Sequence, residues 1–513
     1  MSLGTFDQYV ERLKKMKANI YINGKKWDRT NDFQRGGLAT MKETFDCAWD
    51  PKYEEFCTAT SHLTGEKINR FTHIHRSKDD LLKKQQMTRL LCHRVGGCIQ
   101  RCMGTDALNA LDIVTYDCDQ ANGTKYHERF EEYLRYVQKE DLVLNCAQTD
   151  VKGIRGVRPS EQPDPDQYVH IVDANAERDG VKGVIVRGAK LCNSNAPYVD
   201  EIVVLPTRLM KADDAEYAVA FALPGDWDGI KIMAVPANHP RRTKTECPMA
   251  SQGYMEAMTV FDDVFVPNDR LFLNGLEDPG VVQYAGYLAL MFAHFHRHSY
   301  CGCKAAVSEV IAAECALVAD LNGVQKKDHV QEKISHLIGN AELIFAAGEA
   351  SAYRAQQFPN GSWVPDEVLT NAGRRLAGQE IYKEYETLAD LTGGMCTSLP
   401  TEETFYDPEV AHLCHKYVTR NPKYTSEEAH KIFRMTENML CDAYEGAMMV
   451  AGVHGGGSPL METITMMSRY DMTPLMDMAK YLCGINEEIP FYIRPTSTPR
   501  AMLDKFQKTQ KKD

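Results

Sequence analysis

No stretch of the 513-residue chain approaches the run of about 18 apolar residues that a membrane-crossing helix needs. Its first residues, Met1-Ser-Leu-Gly-Thr-Phe-Asp7, lack a basic segment leading into an apolar one, so no secretion signal is expected. Positive charge is not in excess: 59 Lys and Arg against 71 Asp and Glu leave a formal net charge of -12. That balance excludes broad nucleic-acid binding, which depends on a basic surface. The basic end, Lys505-Phe-Gln-Lys508-Thr-Gln-Lys511-Lys512, is short and reads as a solvated terminus. Internal repeats and low-complexity segments are also missing.

Cysteine is not scarce, yet its 16 residues lack small-scaffold spacing. A chain of this length needs no disulfide staples. Reduced thiols and a cytoplasmic location are expected, and Cys57, Cys118, Cys315, Cys414, Cys441 and Cys483 read as core residues. The length suits roughly three domains, or two large ones.

The texture changes twice along the chain, predicting an α+β protein of three domains. Residues 1–145 read as helical, with apolar residues at helical spacing over 7–16, 78–91 and 126–137. Residues 146–277 are rich in Val, Ile, Thr, Pro and Gly, with strands expected over 181–188, 201–206, 218–223 and 258–267. Strands without long helices between them suggest an antiparallel barrel or sandwich. Residues 278–513 return to helices, at 281–321, at 330–358, and from the capping box Thr425-Ser-Glu-Glu428 to Gly452. That last helix stops in His454-Gly-Gly-Gly-Ser-Pro459.

Two cysteine clusters almost two hundred residues apart fit together as halves of one site. The first is Cys98-Ile-Gln-Arg-Cys102; the second is His296-Arg-His-Ser-Tyr300-Cys-Gly-Cys303-Lys304. On helices, Cys98 and Cys102 share one face, and so do His296, Tyr300, Cys303 and Lys304. Cys301, His298 and His294 fall off that face. Three thiolates and one imidazole suit structural zinc and also an iron–sulfur cluster with one histidine ligand, and the cluster is preferred because zinc cysteines usually sit in knuckles rather than mid-helix. Unrelated core cysteines remain the bland alternative. Val95-Gly96-Gly97 leaves room for a bulky inorganic core, and Tyr300 and Lys304 beside the ligands favour catalysis.

These segments resemble the 4-hydroxybutyryl-CoA dehydratase family, which is related to the flavin hydroxylases of 4-hydroxyphenylacetate and, more distantly, has the acyl-CoA dehydrogenase fold. The resemblance implies a middle antiparallel β-barrel, FAD, a [4Fe-4S] cluster, an acyl-CoA substrate and a homotetramer. Cys98, Cys102, His296 and Cys303 match the cluster ligands. Tyr300, Lys304, Gln100, His294 and Glu256 match active-site residues. Gln148, Thr149 and Lys152, then Lys190 and Ser194, match flavin-contacting segments, and Gly393 and Gly394 match a flavin contact from a neighbouring subunit. His454 and Gly456 belong to the matching turn.

Two positions depart from the pattern. Ala451 stands where the family carries a glutamate, and alanine can neither exchange a proton nor accept a hydrogen bond with its side chain. Glu445, six residues earlier, faces another side of the helix and is expected to be no substitute. Cys301 stands where the family has glycine.

The reaction the resemblance implies is loss of water from a hydroxyacyl-CoA, or isomerisation of an enoyl-CoA, through a flavin-generated substrate radical. Glu256, His296 and Tyr300 are the acid–base candidates. Lys304 would hold the substrate carbonyl. The alanine at 451 raises the expectation of an altered acyl group. A two-component flavin-dependent phenol hydroxylase and a non-catalytic iron–sulfur or zinc redox protein are the competing readings.

Overall fold

A computed structural model describes residues 3–236 and 242–504; the basic end over 505–512 lies outside the described residues. The hairpin Ile20–Ile22 (β1) and Lys25–Trp27 (β2) turns at Asn23 and Gly24. Their φ angles, 52° and 74°, are those an Asn-Gly pair adopts most easily. Eight further strands complete the two main sheets. They are Leu144–Ala147 (β3), His170–Arg178 (β4), Val181–Lys190 (β5), Glu201–Val204 (β6), Val219–Pro224 (β7), Ile230–Val235 (β8), Glu256–Pro267 (β9) and Leu271–Asn274 (β10). One sheet runs β2-β1-β8-β9-β5-β4 and the other β10-β7-β6-β3. Between them Ile20, Val186, Ile232 and Phe261 of the first meet Ile202 and Phe221 of the second.

Among the described residues this is a pair of sheets and not one closed barrel. The six-stranded sheet ends in two edges, β2 and β4. Nor is it wholly antiparallel: β1 runs parallel to β8 and β3 parallel to β6. The strands at 20–27 belong to a stretch that reads as helical, so the strand zone draws on the start of the chain.

Six helices carry the chemistry. Ser77 caps α1 (Lys78–Val95), its Oγ accepting the Asp80 N–H at 3.0 Å. Gly96, at φ 72°, ends it. Next come α2 (Cys102–Asn122), α3 (Val282–Leu321), α4 (Asp328–Tyr353), α5 (Glu367–Thr392) and α6 (Ala443–His454). The helix expected from Thr425 to Gly452 is broken at Asp442, whose φ of -90° and ψ of 152° leave the helical region. Among the described residues no helix is long and apolar enough to cross a membrane.

The 40-residue α3, about 60 Å long at 1.5 Å per residue, is flanked by α1, α2, α4 and α5. Every position from Met291 to Ser308 is buried. A helix buried all round is normally apolar. This one carries His294, His296, Arg297, His298, Ser299 and Lys304 inside, where each polar group is costly without a partner. Cys301 fits because Gly348 and Gly373 make room: a Cβ on those glycines would lie 2.7 Å from its Cβ and 2.9 Å from its Sγ. Cys57, Cys118 and Cys315 are buried as expected. Cys414 is half-buried, and Cys441 and Cys483 are exposed, because the later helices are covered on fewer sides.

Candidate active site

The helix expected through the first cysteine pair does not form. Gly96 turns the chain out of α1, and Gln100 takes φ 62°, so Cys98 sits in a loop and Cys102 opens α2. Gln100 is buried and engaged at both ends. Its Nε2 donates to the Gly253 carbonyl at 2.9 Å, and its Oε1 accepts the Tyr198 hydroxyl. It thereby ties the cysteine loop to the segment leading into β9.

On α3 the spacing holds: His296, Tyr300, Cys303 and Lys304 share a face and are all buried. His296 Nδ1 lies 2.8 Å from an Asp106 carboxylate oxygen. Its ring meets Tyr300 edge-on, with centroids 5.0 Å apart. The Cys102 sulfur, the Asp106 carboxylate and a His296 ring nitrogen lie within 4.8 Å of one another. Among the described residues Cys98 and Cys303 do not join that group, yet their charges act on Cys102 and on Tyr300. Burial pushes the Cys98 thiol up to about 12 and raises Cys102 as well. Cys303 is drawn down by a hydrogen bond with Cys92. The Tyr300 hydroxyl donates to the Ala451 carbonyl at 3.1 Å, and Arg374 covers its ring at 4.6 Å.

Two carboxylates and an ammonium border this centre. Ser194 donates to Glu256 Oε1 at 2.6 Å, while Glu256 Oε2 is buried without a partner. Burial lifts Glu256 to about 7. Lys304 Nζ is likewise buried without a hydrogen-bond partner. Glu445 is the second carboxylate. The first turn of α6 faces α5, where Tyr385 donates to Glu445 at 2.5 Å. Burial raises it to about 7, with Lys304 acting against that rise. A buried carboxylate thus lies in the surroundings of Lys304, on another helix face than Ala451.

The turn after α6 lies against the same centre. A Cβ on Gly456, at φ 76°, would come 3.6 Å from the His296 ring, and one on Gly455 would overlap the Tyr300 hydroxyl. Arg297 and Arg374 fix the turn, each donating from Nε at 2.9 Å, to the Gly456 and Gly455 carbonyls respectively. His454 itself is exposed. His294 is not brought to the cysteines. Its ring nitrogens meet the Pro365 carbonyl at 2.9 Å and the Thr370 hydroxyl at 3.2 Å, and burial lowers it to about 3.

The segments matched to flavin contacts form one strip ending at Glu256. Gln148 reaches the Ala289 carbonyl at 3.0 Å, and the Thr149 carbonyl accepts the Leu191 N–H at 2.7 Å. Lys190 pairs with Asp150 at 2.8 Å. Lys152, at φ 75°, acts with Glu256 on Cys192. Gly393 and Gly394 lie apart, at the exposed end of α5 with open space around both. Asp106 is a residue of the site that sequence reasoning missed, and Glu445 one that it set aside. Asp106 had a signal: it is one helical turn beyond Cys102.

Residues 5–273 and 285–484 match the N-terminal and C-terminal family models of 4-hydroxyphenylacetate 3-hydroxylase. Over 94% of this chain and 100% of the relative, the sequence is 34% identical to the 4-hydroxybutyryl-CoA dehydratase/vinylacetyl-CoA-Delta-isomerase of Clostridium aminobutyricum. The chain belongs to the 4-hydroxybutyryl-CoA dehydratase family. It is therefore an enzyme, related to a hydro-lyase and isomerase. Among solved structures, the oxygen-tolerant archaeal 4-hydroxybutyryl-CoA dehydratase from N. maritimus superposes with a TM-score of 0.88 at 31% identity, covering 97% of each chain. The oxygenase component of 4-hydroxyphenylacetate 3-monooxygenase, complexed with FAD, gives 0.82 at 26% identity over 93% of this chain and 98% of that one. Dehydratases and hydroxylases thus share this fold, and what distinguishes them must lie in the site.

Proposed function

We propose that the chain dehydrates a hydroxyacyl-CoA of the 4-hydroxybutyryl type and isomerises an enoyl-CoA of the vinylacetyl type, using FAD and a 4Fe-4S cluster. The observation that carries this reading is Cys102 and His296 within 4.8 Å of one another, Cys98 and Cys303 near enough for their charges to act on Cys102, and two buried atoms without hydrogen bonds, Lys304 Nζ and Glu256 Oε2. The donor set fits a cluster better than a single ion. Zinc at about 2.3 Å from each sulfur would draw the three thiols into one tight group, whereas among the described residues Cys102 is the one of the three that shares such a group, with Asp106 and His296.

Cys98, Cys102, Cys303 and His296 would hold the cluster, and Gln148, Thr149, Lys152, Lys190 and Ser194 would border the flavin. When bound, the two groups supply reversible one-electron transfer and a Lewis acid for the departing hydroxyl, chemistry that no side chain here provides. The protein's own part is binding and proton movement. Lys304 Nζ receives the thioester carbonyl oxygen. Glu256 Oε2 takes the α-proton, His296 Nε2 the β-proton, and the Tyr300 hydroxyl gives a proton to the leaving group; of the two protons taken, one returns to C4 of the acyl chain to make its methyl group and the other to Tyr300. Glu445 balances the Lys304 charge, so the set is not one carboxylate short and no altered acyl group is required.

The same reading makes the enzyme a cytoplasmic homotetramer of three-domain subunits, divided at 145/146 and 277/278, with Gly393 and Gly394 reaching a partner's flavin. The test is anaerobic purification, iron and acid-labile sulfide analysis, and a screen of hydroxyacyl- and enoyl-CoA esters. Conversion of 4-hydroxybutyryl-CoA to crotonyl-CoA is expected. Iron-free protein that oxidises a phenol with reduced flavin and oxygen would overturn the proposal in favour of the hydroxylase reading.

A further inference from the structure

Three helices converge on one buried carboxylate that the reaction above does not use. Asp106 of α2 lies one turn beyond Cys102, on the same face. Lys84 of α1 donates from Nζ to Oδ1 at 2.5 Å. His296 of α3 approaches Oδ2 through Nδ1 at 2.8 Å. Ser299, also on α3, places its Oγ 3.0 Å from both oxygens. Lys84, Asp106 and Ser299 are fully buried. A charge taken this far from water is expensive to keep, and here an ammonium and two further donors offset the cost.

The arrangement leaves His296 one tautomer. An ionised carboxylate only accepts hydrogen bonds, so the proton of a neutral imidazole rests on Nδ1 and the lone pair on Nε2. Both Asp106 oxygens are already engaged by protein donors, which suits it to support the imidazole rather than to replace it as a ligand. Lys84 and Ser299 fix the carboxylate, the carboxylate fixes the ring, and α3 fixes the ring's position along the helix axis.

We propose that Asp106, held by Lys84 and Ser299, is a positioning residue that locks His296 as the Nδ1–H tautomer and aims Nε2 at the iron–sulfur centre. The proposal rests on the cluster reading above. Its consequence is that one hydrogen bond serves both tasks of His296. The lone pair on Nε2 can meet iron or a substrate proton without the Nδ1 proton having to move. Partners of metal-bound histidines that act in this way usually carry about 10- to 100-fold of metal affinity or activity.

The test compares anaerobically purified holoenzyme, labelled with 15N-histidine, as wild type, D106N, D106E and S299A. Asparagine offers one acceptor oxygen where Lys84 and His296 each need one. Pulsed EPR of the reduced cluster reads the histidine nitrogen coupling, alongside iron, sulfide and FAD per chain. D106N is expected to lose or change the coupling and to lower turnover about 10- to 100-fold, with FAD retained. D106E should restore part of both, and S299A should shift the coupling less. A wild-type coupling in D106N overturns the inference, whatever happens to turnover. Wild-type protein without an iron–sulfur centre overturns the functional reading instead. Should D106N fail to fold, an unchanged coupling in S299A overturns the inference.

Discussion

Glu256 and Glu445 are both lifted to about 7 by burial, yet they answer to different neighbours. Glu445 shares its surroundings with Lys304 and Tyr385, whereas Glu256 accepts a hydrogen bond from Ser194 and lies near the Cys98 and Cys192 thiols. Below about 7 Glu256 is neutral and offers no base; above that it is ionised. The kcat/KM for the acyl-CoA ester should therefore rise with pH through about 7. Replacing Glu256 with Gln should remove that limb and cost about 100-fold or more. A pH–rate series on both proteins checks this, and a wild-type profile that falls through that range contradicts the assignment. Single residues of this kind were unevenly legible in the sequence. Cys98, Cys102 and the His296–Lys304 face could be read because their meaning lies in local spacing. Glu445 could not, because its neighbours Tyr385 and Lys304 are 60 and 141 positions away in the chain.

At the scale of elements, the turn after α6 is shaped by what it must clear. Gly455 has an ordinary backbone, φ -63°, so glycine is needed there for space and not for conformation: the Tyr300 hydroxyl occupies the place of a Cβ. Gly455→Ala should destabilise the chain by about 1–3 kcal/mol, as overpacking does. It should also displace Tyr300, seen as a lower thermal midpoint together with reduced turnover. An unchanged midpoint would mean that the turn is looser than the contact implies. The long helices were readable because apolar residues recur at their pitch, and α3 ran within a residue of its expected start. The loop at Cys98 was misread because Gly96 and Gly97 can make room or can end a helix, and only the left-handed φ of Gly96 decides which. The break at Asp442 leaves no mark in the periodicity. β1 and β2 escaped notice although Asn23-Gly24 between them is a local hairpin signal, because each strand is only three residues long and the sheet partner of β1, β8, lies about two hundred residues downstream.

The whole molecule exposes apolar side chains near its end in a way a finished surface does not. Leu460, Leu482, Ile485, Phe491 and Ile493 are 66%, 72%, 70%, 92% and 72% exposed. Apolar surface on this scale marks an interface, and it agrees with the proposed homotetramer. Light scattering should give a multiple of 57.9 kDa, and the double substitution Leu482→Asp with Ile485→Asp should lower that mass. A wild-type particle at the mass of one chain would refute the assembly. Inside the subunit, α3 sets a different limit. His296 and Lys304 ride on one continuous rod, eight residues and about 12 Å apart along its axis. If the rod shifts, both groups shift with it, and the interval between them is a constant of the enzyme. Any rearrangement during turnover that alters distances within the site has to come from what is mounted elsewhere: the Cys98 loop, the start of β9 and the first turn of α6. The rod is the frame of reference against which those three pieces are set.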